Sequence, residues 1–555
     1  MLRDALEYHE ATKHTFDRFA RSRGSLDWAI QPDPFRRYPG APALALAREP
    51  VAGDVAYDCL FDGGAPRSPL TGPALADFLR CAMGLSAWKQ YQAARWALRV
   101  NPSSGNLHPT EAYLVWDGRV QHYAPKEHAL EERCLLSPSA FLLPPDTCLV
   151  ALTSIHWREA WKYGERAFRY CQHDIGHALG ALRFSAARLG WRLRALTSVS
   201  DTALATTLGL DRDEDFADAE RETPECLLFL DAGATPSTWG TRHDLDGLVA
   251  AARSGTWHGR ANQLSPSRVE WEVIDQVAII TRSPGMDEAQ ASLLAPEPRT
   301  VAPEPRTPNS EPQNTNREPS TENRELPAHS ARLVILQRRS AIAFDGRSSL
   351  PRDRLLTMLA RVQPGSVPWD LLGGRPAVHL ALFVHRVEGL TPGVYLCLRD
   401  RSARAELQQA LRPDFLWEEV DVASHPSLRG CLFLLLPMDV TWPAMRVSCD
   451  QDIAADGFFS LGMLARLGPE IGSQPWLYRH RFWEAGLTGQ VLYLEAEAAG
   501  ARSTGIGCFY DDAVHELLGL DPSVRTGAWQ SVYHFSMGAP VEDTRLQTTN
   551  GYVWE

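Results

Sequence analysis

Leu208-Gly209-Leu210-Asp211 returns as Leu518-Gly519-Leu520-Asp521, and the residues that lead into it return with it. Arg169, Gly176, Leu182, Ala186, Gly190 and Asp201 precede the first copy. Arg479, Gly486, Leu492, Ala496, Gly500 and Asp511 precede the second, each 310 residues further on. One constant offset through ten identities marks a fused tandem repeat. In such a chain a functional site is expected where the repeats meet, as in a two-fold dimer.

Working outward, each repeat reads as α+β. In the first, Thr71–Leu85 has helical spacing behind a Thr-Gly-Pro opening, and Glu111–Trp116 reads as a strand. Arg166–Leu189 is a long helix with apolar residues every three or four positions, ended by Gly190. Cys226–Leu230 is a buried strand. In the second, Pro351–Ala360 is a helix, Val378–His385 a strand, Arg479–Ala499 the long helix closed by Gly500, and Tyr533–Met537 the last strand. Asp244–Arg282 reads as a mostly helical extension that packs over the partner repeat. From Ala295 to Pro327 the composition turns to Pro, Glu, Arg, Asn, Ser and Thr, with Glu297-Pro298-Arg299-Thr300 repeated as Glu304-Pro305-Arg306-Thr307. Such a stretch cannot bury enough apolar surface to fold. The expected organisation is therefore residues 1–294 for an N-terminal extension plus the first repeat, 295–329 for a disordered linker, and 330–555 for the second repeat.

Bulk composition narrows the function. The 555 residues carry a net charge of −12 and 44% hydrophobic residues. That balance speaks against nucleic acid or an anionic membrane surface as partner. No apolar run is long enough to span a bilayer, and Met1-Leu2-Arg3-Asp4 has no signal core. Only four lysines stand beside a large excess of arginine, a bias suggesting a GC-rich bacterial genome. The ten cysteines have no CxxC and no regular spacing, which indicates neither zinc nor a disulfide framework and suits reduced thiols in the cytoplasm.

Three segments could carry chemistry. Asn101-Pro102-Ser103-Ser104-Gly105-Asn106-Leu107-His108-Pro109-Thr110-Glu111 runs into a strand. Its hydroxyls and carboxamide, held between prolines, read equally as a turn or as a loop that hydrogen-bonds a flat polar ligand. Gln337-Arg338-Arg339-Ser340 opens the second repeat; its guanidinium groups suit a phosphate monoester, or form a solvated helix end. Ser503-Thr504-Gly505-Ile506-Gly507-Cys508 allows close backbone approach to a ring system. His173 and His177 stand four apart on the long helix without an evident third ligand, so no metal is expected. His108 could contact a ligand from inside its loop.

Together these segments resemble the nitroreductase superfamily, in particular its SagB/ThcOx-type dehydrogenases, over most of the chain outside the linker. Tyr8-His9-Glu10, Thr12-Lys13-His14 and Leu26-Asp27-Trp28 look like the leader of longer members. The resemblance implies two fused FMN-dependent domains forming an intramolecular pseudo-dimer. It assigns the flavin to Pro102, Ser103, Ser104 and Asn106 from one repeat, and to Arg338, Arg339, Ser340, Gly505, Ile506, Gly507 and Arg545 from the other. It assigns catalysis to Lys162 and Tyr163, which resemble the Lys-Tyr motif of azoline dehydrogenases. Where the second repeat should carry the serine-asparagine loop it has Trp369-Asp370-Leu371-Leu372-Gly373-Gly374-Arg375-Pro376. Where the first should carry Gly-Ile-Gly it has Ala195-Leu196-Thr197, and its best arginine pair is Arg36-Arg37. One complete and one degenerate site, hence one FMN per chain, are expected. The implied activity is an FMN-dependent oxidoreductase acting on a small molecule or peptide, of the azoline-to-azole dehydrogenase type. An NAD(P)H-dependent reductase and a non-catalytic flavin-binding scaffold remain as alternatives.

Overall fold

The computed structural model describes residues 1–51, 53–137, 143–286 and 330–552. The expected linker, 295–329, lies outside them.

Each repeat folds around one antiparallel sheet, and the two sheets share an order. In the first lobe the strands run Ala43–Ala45, Ala129–Leu135, Arg119–Ala124, Thr110–Trp116, Thr147–Ser154, Thr223–Asp231, Arg192–Ala195. In the second they run Glu418–Glu419, Leu432–Pro437, Gly393–Cys397, Val378–Val384, Phe459–Arg466, Trp529–Gly538, Arg502–Ile506. The central strands of both are buried on both faces, except at the end residue Arg466, which is why their sequences read as largely apolar runs.

The helices begin and end where local chemistry requires. Thr71 accepts the N–H of Ala74 and starts Gly72–Ala82, which stops short of Leu85 because Leu85 opens a hairpin strand. Gly209 and Gly519 take left-handed φ of 70° and 79° after helices Asp201–Leu208 and Asp511–Leu518. The extension expected to be mostly helical contains Arg242–Arg253 and Glu272–Ile280, with irregular chain between them after the short strand Thr256–Trp257. Glu272–Ile280 packs on the N-terminal helix and on the first lobe's own long helix.

The two long helices, Ala167–Arg188 and Leu477–Ala498, pack against each other at the centre of the molecule. Their backbones touch at the repeat-equivalent glycines. A Cβ on Gly176 would lie 2.2 Å from the Trp483 carbonyl oxygen, and one on Gly486 would lie 2.1 Å from that of His173. The reciprocity places Gly176 and Gly486 beside a pseudo-two-fold axis. The repeated ion-pairing residues obey the same axis: Arg169 Nη1 meets Asp511 Oδ1 at 2.8 Å, and Arg479 Nη2 meets Asp201 Oδ2 at 2.7 Å. Each arginine serves the other lobe.

The chain ends are exchanged as well. At the N-terminus, helix Ala5–Ala11 buries Tyr8 and His9, and His9 Nδ1 lies 3.1 Å from Tyr478 Oη. Lys13 pairs with Asp512 of the second lobe. At the C-terminus, strand Gln547–Asn550 joins the first lobe's hairpin, Leu85–Tyr91 with Ala94–Arg99, as a third strand. Tyr552 anchors this tail: its hydroxyl accepts the N–H of Leu85 at 2.9 Å and donates to the Pro125 carbonyl at 2.6 Å.

Candidate functional site

Between the lobes lies a cavity of about 690 Å³. One wall comes from the first repeat: Pro102, Ser103, Ser104, Gly105 and Asn106, backed by Lys89, Trp96 and Arg99 of the hairpin. The other comes from the second repeat: Arg338, Arg339, Ser340, Thr504 and Gly505, with Tyr493, Arg502 and Tyr533. The segment after the last strand, from Pro540 through Asp543 to Leu546, closes one side.

The loop is held in a demanding conformation. Gly105, Asn106 and His108 have φ of 60°, 60° and 53°, so two non-glycine residues sit in the left-handed region. Hydrogen bonds fix them there. Asn106 Nδ2 donates to the Ala97 carbonyl at 2.8 Å, and the His108 N–H donates to Ser103 Oγ at 2.9 Å. His108 Nδ1 also lies 3.2 Å from Ser103 Oγ. His108 thus lines the wall with its ring spent on the loop itself, and burial followed by the charge of Arg99 holds its pKa well below the usual range. Beneath the loop, Asp174 of the long helix accepts the Ser104 N–H at 3.1 Å. Burial pushes Asp174 well above the ordinary carboxylate range, and burial together with Asp174 does the same to the buried Glu159.

On the opposite wall, the Arg338-Arg339-Ser340 segment is pinned across both lobes. The Ala341 N–H donates to the Ser503 carbonyl at 2.9 Å, and Arg339 Nη2 donates to the Ser86 carbonyl of the hairpin at 3.1 Å. Tyr493 ties the segments together, with its hydroxyl 3.0 Å from Ser340 Oγ and accepting the Gly505 N–H at 2.9 Å. Arg338 is 4% exposed, and its Nε and Nη1 have no hydrogen-bond partner among the described residues. Burial lowers the pKa of Arg338, and for Arg339 burial plus the Arg338 charge brings it to about 10. Two adjacent guanidiniums put positive charge on this wall, which suits an anionic ligand.

The remaining candidates fall around this core. Gly505 faces Tyr533 so closely that a Cβ would sit 1.9 Å from its hydroxyl, and Gly507 faces Tyr170 at 2.0 Å. Ile506 is buried, and neither it nor Gly507 lines the cavity. Arg545 is exposed, lies over Tyr91 and pairs at 2.8 Å with Asp543, which lines the cavity where Arg545 itself does not. Lys162 and Tyr163 approach the loop tip from outside: a Cβ on Gly105 would lie 2.7 Å from Tyr163 Oη and 3.2 Å from Lys162 Nζ. Lys162 is exposed. His173 Nε2 donates to the Val532 carbonyl at 3.0 Å and its ring stacks on Tyr533, while His177 Nε2 lies 3.1 Å from the Tyr533 hydroxyl. Tyr493, Tyr533, Asp174, Glu159, Lys89 and Arg99 were not singled out from sequence. Asp174 alone left a signal, as a polar residue inside an apolar helix.

Across the pseudo-axis a smaller cavity of about 240 Å³ is lined by Ala195, Thr197, Leu371, Leu372 and Arg375, among others. The Arg36-Arg37 pair does not reach it: Arg36 is buried on Glu222 at 3.1 Å and Arg37 pairs with Glu127.

No protein-family model matches the sequence, and no curated protein matches it. Among solved structures, the chain resembles a protein from Anabaena variabilis provisionally described as a nitroreductase, with a TM-score of 0.64 and 20% identity over 97% of this chain and 100% of that one. A Ralstonia eutropha protein described in the same provisional way matches with a TM-score of 0.26 and 14% identity, over 36% of this chain and 96% of that one. The E. coli microcin synthetase McbBCD complex, with truncated pro-MccB17 bound, matches with a TM-score of 0.24 and 20% identity, over 34% of this chain and 71% of that one. The full-length match shows the fold: two fused nitroreductase-like lobes, α+β, making a pseudo-dimer within one polypeptide.

Proposed function

We propose that this chain is an FMN-dependent oxidoreductase with one cofactor site built from both repeats. The observation that carries this reading is that Arg338, Arg339 and Ser340 of one repeat line the same cavity as the Pro102–Asn106 loop of the other. The cavity volume of about 690 Å³ suits a flavin mononucleotide. Arg338 and Arg339, with Ser340, would hold the phosphate and ribityl chain, and Pro102, Ser103, Ser104, Asn106 and Gly505 the ring system. Bound FMN would supply hydride transfer, chemistry no side chain here provides.

The chain's own part is binding and proton handling. Lys162 is the base and Tyr163 the orienting or relaying hydroxyl, both against the outer face of Gly105. Asp174 holds the loop from beneath through the Ser104 N–H. The substrate is a small heterocycle, or one carried on a peptide, oxidised from azoline to azole. Only one site per chain binds flavin, because the counterpart has about 240 Å³ and its arginines stand beside Asp370 and Glu484.

Absorbance of the purified chain with added FMN tests this directly. One bound flavin per chain, bleached by dithionite and by an azoline substrate, is expected; a colourless protein that takes up no FMN makes it a scaffold. Bleaching by NAD(P)H alone, with no azoline oxidation, makes it a reductase. Lys162→Ala is expected to keep flavin and slow turnover by about 10²-fold or more; unchanged turnover returns this lysine to the surface.

A further inference from the structure

We propose that His14, Cys449 and Cys508 form a site for one soft cation, zinc foremost, that clasps the N-terminal arm to the second lobe. The three residues come from segments 59 and 494 positions apart, so no spacing motif announces them. In space, Cys508 Sγ lies 3.0 Å from Cys449 Sγ, and His14 Nδ1 lies 3.7 Å from Cys508 Sγ. All three donor atoms fall within 4.8 Å of one another, the one such group of His, Cys, Asp and Glu among the described residues. Zinc binds thiolate at about 2.3 Å and imidazole at about 2.0 Å, so a tetrahedral site needs its sulfurs about 3.8 Å apart. A small rotation of either cysteine side chain provides that opening.

The backbone is prepared for such a ligand. His14 is fixed by Asp511 from both sides: its N–H donates to Asp511 Oδ2 at 2.9 Å, and its carbonyl accepts the Asp511 N–H at 2.9 Å. Cys449 and Asp450 are consecutive non-glycine residues at φ 55° and 57°. Each costs about 1–2 kcal/mol, strain that accumulates at functional positions. Gln451 holds the two cysteine segments in register, donating from Nε2 to the Ser448 carbonyl at 2.7 Å and to the Cys508 carbonyl at 2.9 Å. Both cysteines are partly exposed, which leaves a fourth position for water, the pattern of an open zinc site. The neighbouring cation Arg166 is paired with Asp511 at 2.8 Å. Zinc on two thiolates and a neutral imidazole is uncharged overall, and any proton still on either sulfur leaves to solvent on binding. Thiolate and imidazole donors favour zinc or copper(I) over magnesium or calcium.

The test uses the full chain, reduced by a phosphine and stripped by a chelator. Zn²⁺ is titrated against a chromogenic chelator, and Co²⁺ is followed by its thiolate charge-transfer absorption. One Zn²⁺ per chain and a cobalt charge-transfer band are expected. Cys449→Ser and Cys508→Ser are expected to lose the band, and Gln451→Ala to weaken zinc by about 10–100-fold with circular dichroism unchanged. If a cysteine variant fails to fold, His14→Gln, which keeps both sulfurs, carries the test through a comparable loss of zinc affinity. Absence of stoichiometric zinc, zinc affinity unchanged in the cysteine variants or in His14→Gln, or a Cys449–Cys508 disulfide whose reduction restores no zinc uptake overturns the proposal. Copper(I) uptake with no zinc uptake overturns the choice of zinc.

Discussion

The composite cavity and its counterpart across the pseudo-axis rest on the same frame. In both, a carboxylate at equivalent positions on the central helices holds the loop before the first central strand: Asp174 accepts Ser104 N–H, and Glu484 accepts the N–H groups of Ala377 and Val378. In both, an arginine of one long helix grips an aspartate of the other lobe. What differs is the furnishing. Gly505, Gly507 and Tyr493 are replaced at equivalent positions by Ala195, Thr197 and Arg183. Arg183 turns onto Asp370 at 2.7 Å, and Leu371 packs into an apolar cluster with Trp483. The crossed ion pairs and the helix-crossing glycines are present in duplicate. Residues that would hold a ligand persist only once.

The two aspartates offer the sharpest way to test that symmetry of frame. Asp511 faces Arg166 and Arg169 together and holds His14, whereas Asp201 shares its single arginine, Arg479, with Glu225. Asp511→Asn should therefore cost the most, about 3–5 kcal/mol in chemical unfolding, because it strands two buried guanidiniums. Asp201→Asn should cost less, about 1–3 kcal/mol. Equal losses would break the comparison.

The same pair predicts opposite pH behaviour. Burial alone would raise Asp511, but Arg166 and Arg169 outweigh it and hold its pKa well below the ordinary 3.8. Its contribution is present above about pH 4 and is lost as pH falls through the folded value. The stability gap between the native chain and Asp511→Asn should shrink in acid. For Asp201, burial outweighs Arg479 and raises the pKa, so its contribution fades as pH rises through the folded value. Unfolding midpoints between pH 3 and pH 7 check both directions.

Within the furnishing, Arg338→Ala should weaken FMN by about 10–100-fold, the loss of charge-assisted hydrogen bonds of about 1.5–3 kcal/mol. Arg375→Ala, which lines the counterpart, should leave FMN affinity unchanged. Flavin fluorescence titration separates them, and equal losses would mean that both cavities bind. The smallest effect belongs to the tail: Tyr552→Phe removes two hydrogen bonds and should lower stability by about 1–2 kcal/mol.

Much of the frame was legible in the sequence because it is written twice. Of the ten repeated identities, Arg169, Arg479, Asp201 and Asp511 are the crossed ion pairs and Gly176 and Gly486 the helix crossing. Gly190, Gly500, Gly209 and Gly519 are left-handed helix ends. Contiguous motifs were legible too, since the Pro102–Asn106 loop and the Arg338–Ser340 segment each act as a local unit that the fold brings together. Residues that meet only through tertiary structure were not. Tyr493 and Tyr533 sit among apolar neighbours, and the hairpin that carries Lys89 and Arg99 was not among the elements expected from sequence. The His14, Cys449 and Cys508 group is scattered over nearly the whole chain.

The exchanged ends bear on why the two halves are one molecule. The N-terminal arm docks on the second lobe and the C-terminal strand joins the first, so the halves are clasped at both extremities as well as along their central helices. A protease cut between Met286 and Ser330 should leave two fragments that co-migrate and keep the shared cavity. Covalent fusion therefore contributes little adhesion. What it guarantees is pairing: neither half can ever meet a second copy of itself in place of its mate, so each is free to diverge without spoiling a homodimer.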